Sequence, residues 1–478
     1  MLQALSRLVA GLGIICTALC VDAGELASLE LETNGLVYDS LHNLIYATVP
    51  GSVPKVGNHV VALDPETLEV VDLVYVGSDP NVLDLSDSGQ TLYVGLGGSP
   101  HFVRIDTTTL DVTDIISLGV TEQGLPRFAQ RMQVQPGTEN IVAVVRTGSL
   151  AIYDNGVARP ATVPNSSTGP NKIAFSDDPS RLYGFDSFLS SHLFFRLTVS
   201  SSGVAINSST QGLLSGSVEI VYGGGRVYST LGTVIDPEGL TVLGTLPERG
   251  PTIPDPEAGK IHILNRVVSP IWLFTCDPLS FEITESTEYP YFGRPHAFAR
   301  WGDSGVAFAT DEWVVSLRTS QVWNDLHVPA ATLTPLRGAI VSGGVSELSA
   351  SDDQRIVVRP GPVFTTQQSP ISLEVTAVSP STSEEHMAFT IESHATSASI
   401  RQSVYLFDFV AQSYVLKDER QCATTDAKIK IEVWDDAARF IDSSGFVKAR
   451  VDYRANGPVF SYPWQTRIDL ARWTFIDN

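Results

Sequence analysis

The sequence predicts an all-β chain, a seven-bladed β-propeller followed by a jelly-roll or immunoglobulin-like β-sandwich. Three observations carry this. A strand–turn–strand unit recurs along the first two thirds of the chain. The recurrence stops near Pro329 and gives way to longer alternating strands. The composition, 43% hydrophobic and 18% charged with 38 Gly and 28 Pro, suits many short strands joined by tight turns.

The unit is clearest as Val-Ala-Leu-Asp64-Pro-Glu-Thr-Leu-Glu-Val, Val-Arg-Ile-Asp106-Thr-Thr-Thr-Leu-Asp-Val and Phe-Thr-Cys-Asp277-Pro-Leu-Ser-Phe-Glu-Ile. Each reads as a strand, an Asp turn and a second strand. The register returns at Asp236 and more weakly at Asp154, Thr198 and Arg318. The seven turn positions stand 38 to 48 residues apart, the length of a four-stranded propeller blade. Upstream of each lies a strand, a polar turn and a Leu-Tyr-Val strand, as in Leu85 to Val94 and Phe175 to Tyr183. Closure of the ring is open on these grounds, because both Ala27 to Glu32 and the segment after Trp323 are candidates for the last outer strand.

In this pairing of a Leu-Tyr-Val strand with Ile-Asp-x-x-x-Leu-x-Val, the chain from about Leu26 to Trp323 resembles the YVTN-type β-propeller repeats of secreted prokaryotic proteins. The resemblance implies a fold and leaves the activity undecided. Such propellers include surface-layer and binding proteins as well as lactone-cleaving and cofactor-dependent enzymes.

Arg7 precedes an apolar run from Leu8 to Cys20 and a small-residue site at Val21-Asp22-Ala23, which reads as a signal peptide over residues 1–23. A short N-terminal anchor is the alternative, although the run is short for a membrane span. The organisation read from the sequence is a propeller over 24–328, a linker over 329–345 and a sandwich over 346–478. Period-two alternation in Lys428 to Trp434 typifies that last region. The expected location is secreted, extracellular or periplasmic, and the expected state is a monomer.

A formal charge of −22, most of it before Gly338, makes nucleic acid a poor partner. It suits solubility outside the cell, and a divalent cation such as calcium is the one ion the composition suggests. Removal of the signal peptide leaves Cys276 and Cys422. This is no disulfide framework, and the repeat places Cys276 on a buried strand.

Most motif-like segments have structural readings. Gly302-Asp303-Ser304-Gly305 invites comparison with the nucleophile segment of trypsin-like proteases, but no second Gly follows it and no matching motif places a His/Asp pair. It aligns instead with the turn Ser86-Asp87-Ser88-Gly89. The repeated Asp residues would lie far apart around a ring, so they read as turn caps rather than ligands of one ion. Trp434, Trp464, Trp473, Tyr405 and Tyr414 suit a sandwich core or, alternatively, a sugar-stacking surface. Asn165 and Asn207 head glycosylation sequons, relevant only in a eukaryotic host.

One set would be gathered by the fold itself. Gly-x-x-Pro-like links at Gly77–Pro80, Gly124–Pro126, Gly169–Pro170 and Gly293–Pro295 precede strands nearest the axis. Asn34, Asn81, Arg127, Asn171, Glu219 and His296 would then ring the channel mouth, where propellers commonly take ligands. Asn81, Asn171 and Glu219 would offer oxygens to a cation. His296 and Arg127, facing one another, would suit a carboxylate or lactone oxygen. The sequence therefore favours a non-catalytic extracellular binding or cell-surface protein, its partner an extracellular polymer, surface or protein ligand. The alternative is a channel-mouth hydrolase or lactonase, metal-dependent in one version.

Overall fold

The computed structural model describes residues 26–165, 169–265, 269–323, 325–351, 353–365, 368–456 and 464–476. The signal-peptide reading falls outside these. The chain divides into two compact units, the first ending at Val322 and the second beginning at Trp323.

The first unit is a β-propeller of seven antiparallel sheets, taken here as blades 1 to 7 in chain order. Blade 1 runs outward through Gly35–Asp39, Leu44–Val49, His59–Leu63 and Val70–Tyr75. Blades 2 to 6 follow the plan, except that blade 3 has two short outer strands, Val157–Ala158 and Val163–Pro164, both paired to its third. The innermost strands of blades 2 to 6 are Pro80–Leu85, Ala129–Val134, Lys172–Phe175, Ile220–Gly223 and Thr252–Asp255. Blade 7 has only three strands from its own stretch of chain, Ala297–Trp301, Gly305–Ala309 and Trp313–Arg318. Its outer strand is Leu26–Glu30, paired from Leu26 opposite Leu317 to Glu30 opposite Trp313. The ring is therefore closed by the N-terminal candidate. Across the seam the Ser316 hydroxyl donates to the Pro65 carbonyl, and Arg318 pairs with Glu66 at 2.5 Å.

The Asp turns form as their chemistry requires. Asp64 Oδ1 accepts the N–H groups of Glu66 and Thr67 at 2.9 Å, and Asp106, Asp236 and Asp277 do the same for the residues two and three further on. Each turn closes with the apolar residue in the left-handed region: Leu68 at φ 56°, Leu110 at 51°, Leu240 at 52° and Phe281 at 61°. That conformation costs a non-glycine residue about 1–2 kcal/mol. Burial of Leu68, 1% exposed, outweighs it, since a buried leucine contributes about 1.5–3 kcal/mol. The weaker repeats differ. Thr198 lies inside the strand Leu193–Ser200 rather than at a turn, because that blade's third and fourth strands are longer. After Asp154 the turn is made by Asn155 and Gly156, both at positive φ, a hairpin geometry that needs no Asp cap. Arg318 ends a strand and leads into a short 3₁₀ turn, because the blade's outer strand arrives from the N-terminus.

Side chains also bridge blades. Asp84 Oδ2 of blade 2 accepts the Val134 N–H of blade 3 at 2.6 Å, and Gln133 Oε1 of blade 3 accepts the Phe175 N–H of blade 4 at 2.7 Å. Cys276 is buried as expected; it and Cys422 are both free thiols, each pushed up to about 11 chiefly by burial.

The second unit is built from two antiparallel sheets. One contains Ala339–Ser342, Ile356–Arg359, Thr466–Ile476, Met387–Ala395 and Ala427–Val433, with Asp325–Pro329 also paired to Thr466–Ile476. The other contains Thr332–Arg337, Ile371–Val378, Phe446–Ala455, Ile400–Asp408 and Ser413–Gln421. Both contribute to a shared core that includes Phe389, Trp473, Leu406 and Val451. Within 329–345, where Pro, Ala and Gly suggested a linker, Thr332–Arg337 and Ala339–Ser342 are paired strands. Pro335 is tolerated because Thr332–Arg337 is an edge strand, where a missing N–H breaks no ladder.

Two outcomes are expected. Leu29→Ala, at a 2%-exposed position of the closing strand, should lower the unfolding free energy in a denaturant titration by about 2–5 kcal/mol. Burial, against the bond from Val134, pushes the Asp84 carboxyl up to about 7 from 3.8. A raised carboxyl pKa means the native state binds more protons than the unfolded chain between those values, so its contribution to stability falls as pH rises through that window. Asp84→Asn keeps an acceptor for Val134 without the charge. It should raise the melting temperature relative to the parent at pH 8 and leave it little changed at pH 4; an unchanged or lower value at pH 8 would contradict this.

Candidate functional site

The innermost strands begin at one end of the channel, and there they surround a cavity of about 690 Å³. Every blade except the fourth supplies described lining residues: Glu32 to Leu36, Asn81 to Leu83, Arg131, Met132, Glu219, Val221, Thr230, Pro251, Thr252, Pro295 to Phe298, and Asp311. The repeat brings these together because each blade's first strand starts at equivalent height. The N–H groups of Asn34, Asn171 and His296, for example, each bond the carbonyl of the residue that ends the neighbouring strand's pairing, at Thr48, Phe185 and Ala309.

Four of the six expected mouth residues are there: Asn34, Asn81, Glu219 and His296. Asn34 and Asn81 have structural duties as well. Asn34 Nδ2 donates to the Pro80 carbonyl at 2.8 Å and Asn81 Nδ2 to that of Ala129 at 2.9 Å, so each ties its blade to the start of the next. His296 Nε2 lies 3.1 Å from the Thr310 carbonyl, which makes that nitrogen the N–H donor.

Asn171 and Arg127 are elsewhere. Asn171 is buried, its amide donating to Ser187 Oγ at 3.0 Å and accepting the Ser187 N–H at 2.9 Å. Arg127 is engaged away from the mouth, donating to the carbonyls of Val120 in the link from blade 2 at 2.9 Å and Thr147 in blade 3 at 2.6 Å. The link in blade 3 is longer than its Gly and Pro imply. The innermost strand starts at Ala129, and a bulge between Ala129 and Arg131 turns Arg131 toward the mouth. His296 and Arg127 therefore do not face one another across the opening, and Asn81, Asn171 and Glu219 do not form one oxygen cluster.

Arg131 was missed by reading forward from proline. Counting back from the buried run Ile141–Arg146, with which its strand pairs, would have placed it. It makes a two-pronged ion pair with Glu219, Nε to Oε2 at 3.0 Å and Nη2 to Oε1, and thereby joins blade 3 to blade 5. Lys172 of blade 4 donates to Glu219 Oε1 as well. Burial works to raise the Glu219 carboxyl, but hydrogen bonds and charge from Arg131 and Lys172 outweigh it and hold the group below its ordinary 4.5. With Glu219 so engaged, the acidic groups left facing the opening are the exposed Glu32 and Asp311.

No protein-family model matches this sequence, and no curated protein matches it. Solved structures similar to the chain include hydrazine synthase of Kuenenia stuttgartiensis, at 14% identity over 61% of this chain and 96% of that one, with a TM-score of 0.48. The β-propeller domain of Cps50 (Swd1) from Myceliophteria thermophila is 11% identical over 62% of this chain and all of that one, TM-score 0.48. BamB from Moraxella catarrhalis is 10% identical over 62% and 99%, TM-score 0.43. At such identities the likeness concerns the fold alone.

Glu219→Gln should lower stability at neutral pH. Because a depressed carboxyl pKa gives stability that is present above the unfolded value and lost as pH falls through the folded one, the gap between parent and variant should be constant above about pH 5 and close below 4.5. Parallel melting curves from pH 3 to 8 check this; a gap that persists unchanged at pH 3 would contradict the assignment.

Proposed function

We propose that this is a secreted, non-catalytic binding protein of the YVTN-propeller type, whose axial mouth takes a small polar ligand bearing a cationic group. The observation that supports it is the composition of the 690 Å³ cavity. Exposed Glu32 and Asp311 and the amides of Asn34 and Asn81 line it, while Arg131 is held in an ion pair with Glu219, which Lys172 shares. Concave sites with a few convergent polar groups are the usual ligand sites of folds like this one. The −22 charge of the whole chain favours cationic over anionic partners in general.

The lactonase alternative receives less support from the geometry. Its cation site would have needed Asn81, Asn171 and Glu219 together, and its lactone oxygen His296 with Arg127; His296 is at the mouth, but Arg127 and Asn171 are engaged elsewhere.

Calorimetric titration with a panel of polyamines, basic dipeptides and choline esters, against acidic analogues of similar size, tests the reading. Amine-bearing members should bind. Asp311→Asn with Glu32→Gln should weaken them about ten-fold or more, as removal of two charge partners implies. Preference for the acidic analogues, or turnover of a lactone or phosphoester panel abolished by EDTA, would overturn it.

A further inference from the structure

The second unit carries a site of the opposite sign. Thr332–Arg337 belongs to one of its sheets and Ala339–Ser342 to the other, so the chain changes sheets at Gly338. Gly338 has φ 94°, and a Cβ there would lie 2.9 Å from the Arg359 carbonyl; one on Gly361 would lie 2.8 Å from the Gly338 nitrogen. The two glycines let the strand ends at Arg337 and Arg359 meet at one corner. Around that corner is a groove of about 710 Å³ lined by both arginines, by Ala339, Val341, Pro360, Pro362 and Phe364, and by Gln465.

In a chain with 53 acidic residues against 31 basic, the described lining of this groove contains two arginines and no Asp or Glu. Arg337 donates one bond, to the Ser369 carbonyl at 3.3 Å, and no carboxylate lies within ion-pair distance of either guanidinium among the described residues. Phe364 is 83% exposed, an aromatic face with little packing of its own. Arg337 also lines a second groove of about 290 Å³ with Gln368, Ser369, Ser372, Arg450 and Asp452. There Arg450 is paired with Asp452 at 3.5 Å, and its guanidinium lies over the Tyr405 ring at 4.2 Å and the Tyr414 ring at 4.6 Å. The corner groove thus combines two cations with an exposed aromatic ring, and Arg337 continues it as a path into the smaller groove.

We propose that this path binds an acidic polysaccharide, a chain of uronate-bearing sugars. Planar guanidinium groups pair with carboxylates in two-pronged fashion, and exposed aromatic rings stack on the apolar faces of sugar rings. The two connected grooves suit an extended chain rather than a single small anion. The site is independent of the propeller mouth and of what binds there.

Native affinity electrophoresis of the full-length protein through gels containing alginate, with dextran as the uncharged comparator, tests it. Alginate should retard the protein and dextran should not, and retardation should weaken as sodium chloride is raised from about 50 to 500 mM, as screening demands. Arg337→Ala with Arg359→Ala should reduce the apparent affinity at least ten-fold, and Phe364→Ala alone should reduce it as well. Arg359 and Phe364 are exposed, so their replacement leaves folding intact, which matched melting curves verify. Asp311→Asn should leave retardation unchanged, which separates this site from the mouth. No retardation in alginate, equal retardation in dextran, or parental behaviour of the double variant would each overturn the proposal.

Discussion

Neighbouring blades of the propeller are separate sheets, joined through the backbone by no more than an isolated bridge such as Ala161 to Gly203, and everything else in the first unit follows from that. What holds one blade to the next is the burial of both faces of every sheet. Seven apolar clusters do this, each drawing on two adjacent blades. Ile45 and Ala47 pack with Trp301 and Val314 of blade 7, whereas Tyr46, between them, packs with Leu92 and Val103 of blade 2. Ala143 and Val142 likewise face blades 4 and 2. A strand whose alternate residues serve two cores must be apolar throughout.

Hydrogen bonds then act where apolar packing ends. The buried tyrosines of the repeat illustrate it. Tyr93 reaches the Glu139 carbonyl of blade 3 at 3.1 Å, and Tyr183 reaches Glu238 of blade 5 at 2.9 Å. Each ring fills the interblade core while its hydroxyl ties the blade edge to the next, a combination that Phe could not supply. The same division of labour explains Asn34 and Asn81, whose amides pin the inner ends of blades that packing alone would leave free to splay.

This physics decides what could be read in advance. The middle strands, apolar on both faces, announce themselves as Leu-Tyr-Val and Val-Ala-Leu runs, and the Asp caps mark the turns between them, so the propeller and its blade count were legible. The site was legible only in part. Asn34, Glu219 and His296 sit where a strand starts, which turn residues signal well. Arg131 depends on a bulge at Ala129, and a bulge changes no composition, only register. Asn171 has the residue type and position of a mouth group, but Ser187 folds back to satisfy it. In the second unit Pro329, Pro335 and Gly338 resemble linker chemistry while serving edge strands and a sheet crossing. Trp464 and Trp473 are core, yet Tyr405 and Tyr414 stand on the other side of their sheet, a distinction that alternate spacing alone could not make.

A ring of seven similar blades would present a visitor with seven nearly equivalent poses, and a ligand free to adopt them all would be held without orientation. The strut between Arg131 and Glu219, anchored by Lys172, removes that degeneracy. It places two cations on one carboxylate along one arc of the opening and leaves Asp311 and Glu32 elsewhere on the rim, so the mouth acquires a dipole across the axis. Rotational near-symmetry in the scaffold and polarity in the rim are therefore separable traits. Exchange of a few residues at strand starts could turn that polarity around the axis without disturbing the interblade cores beneath.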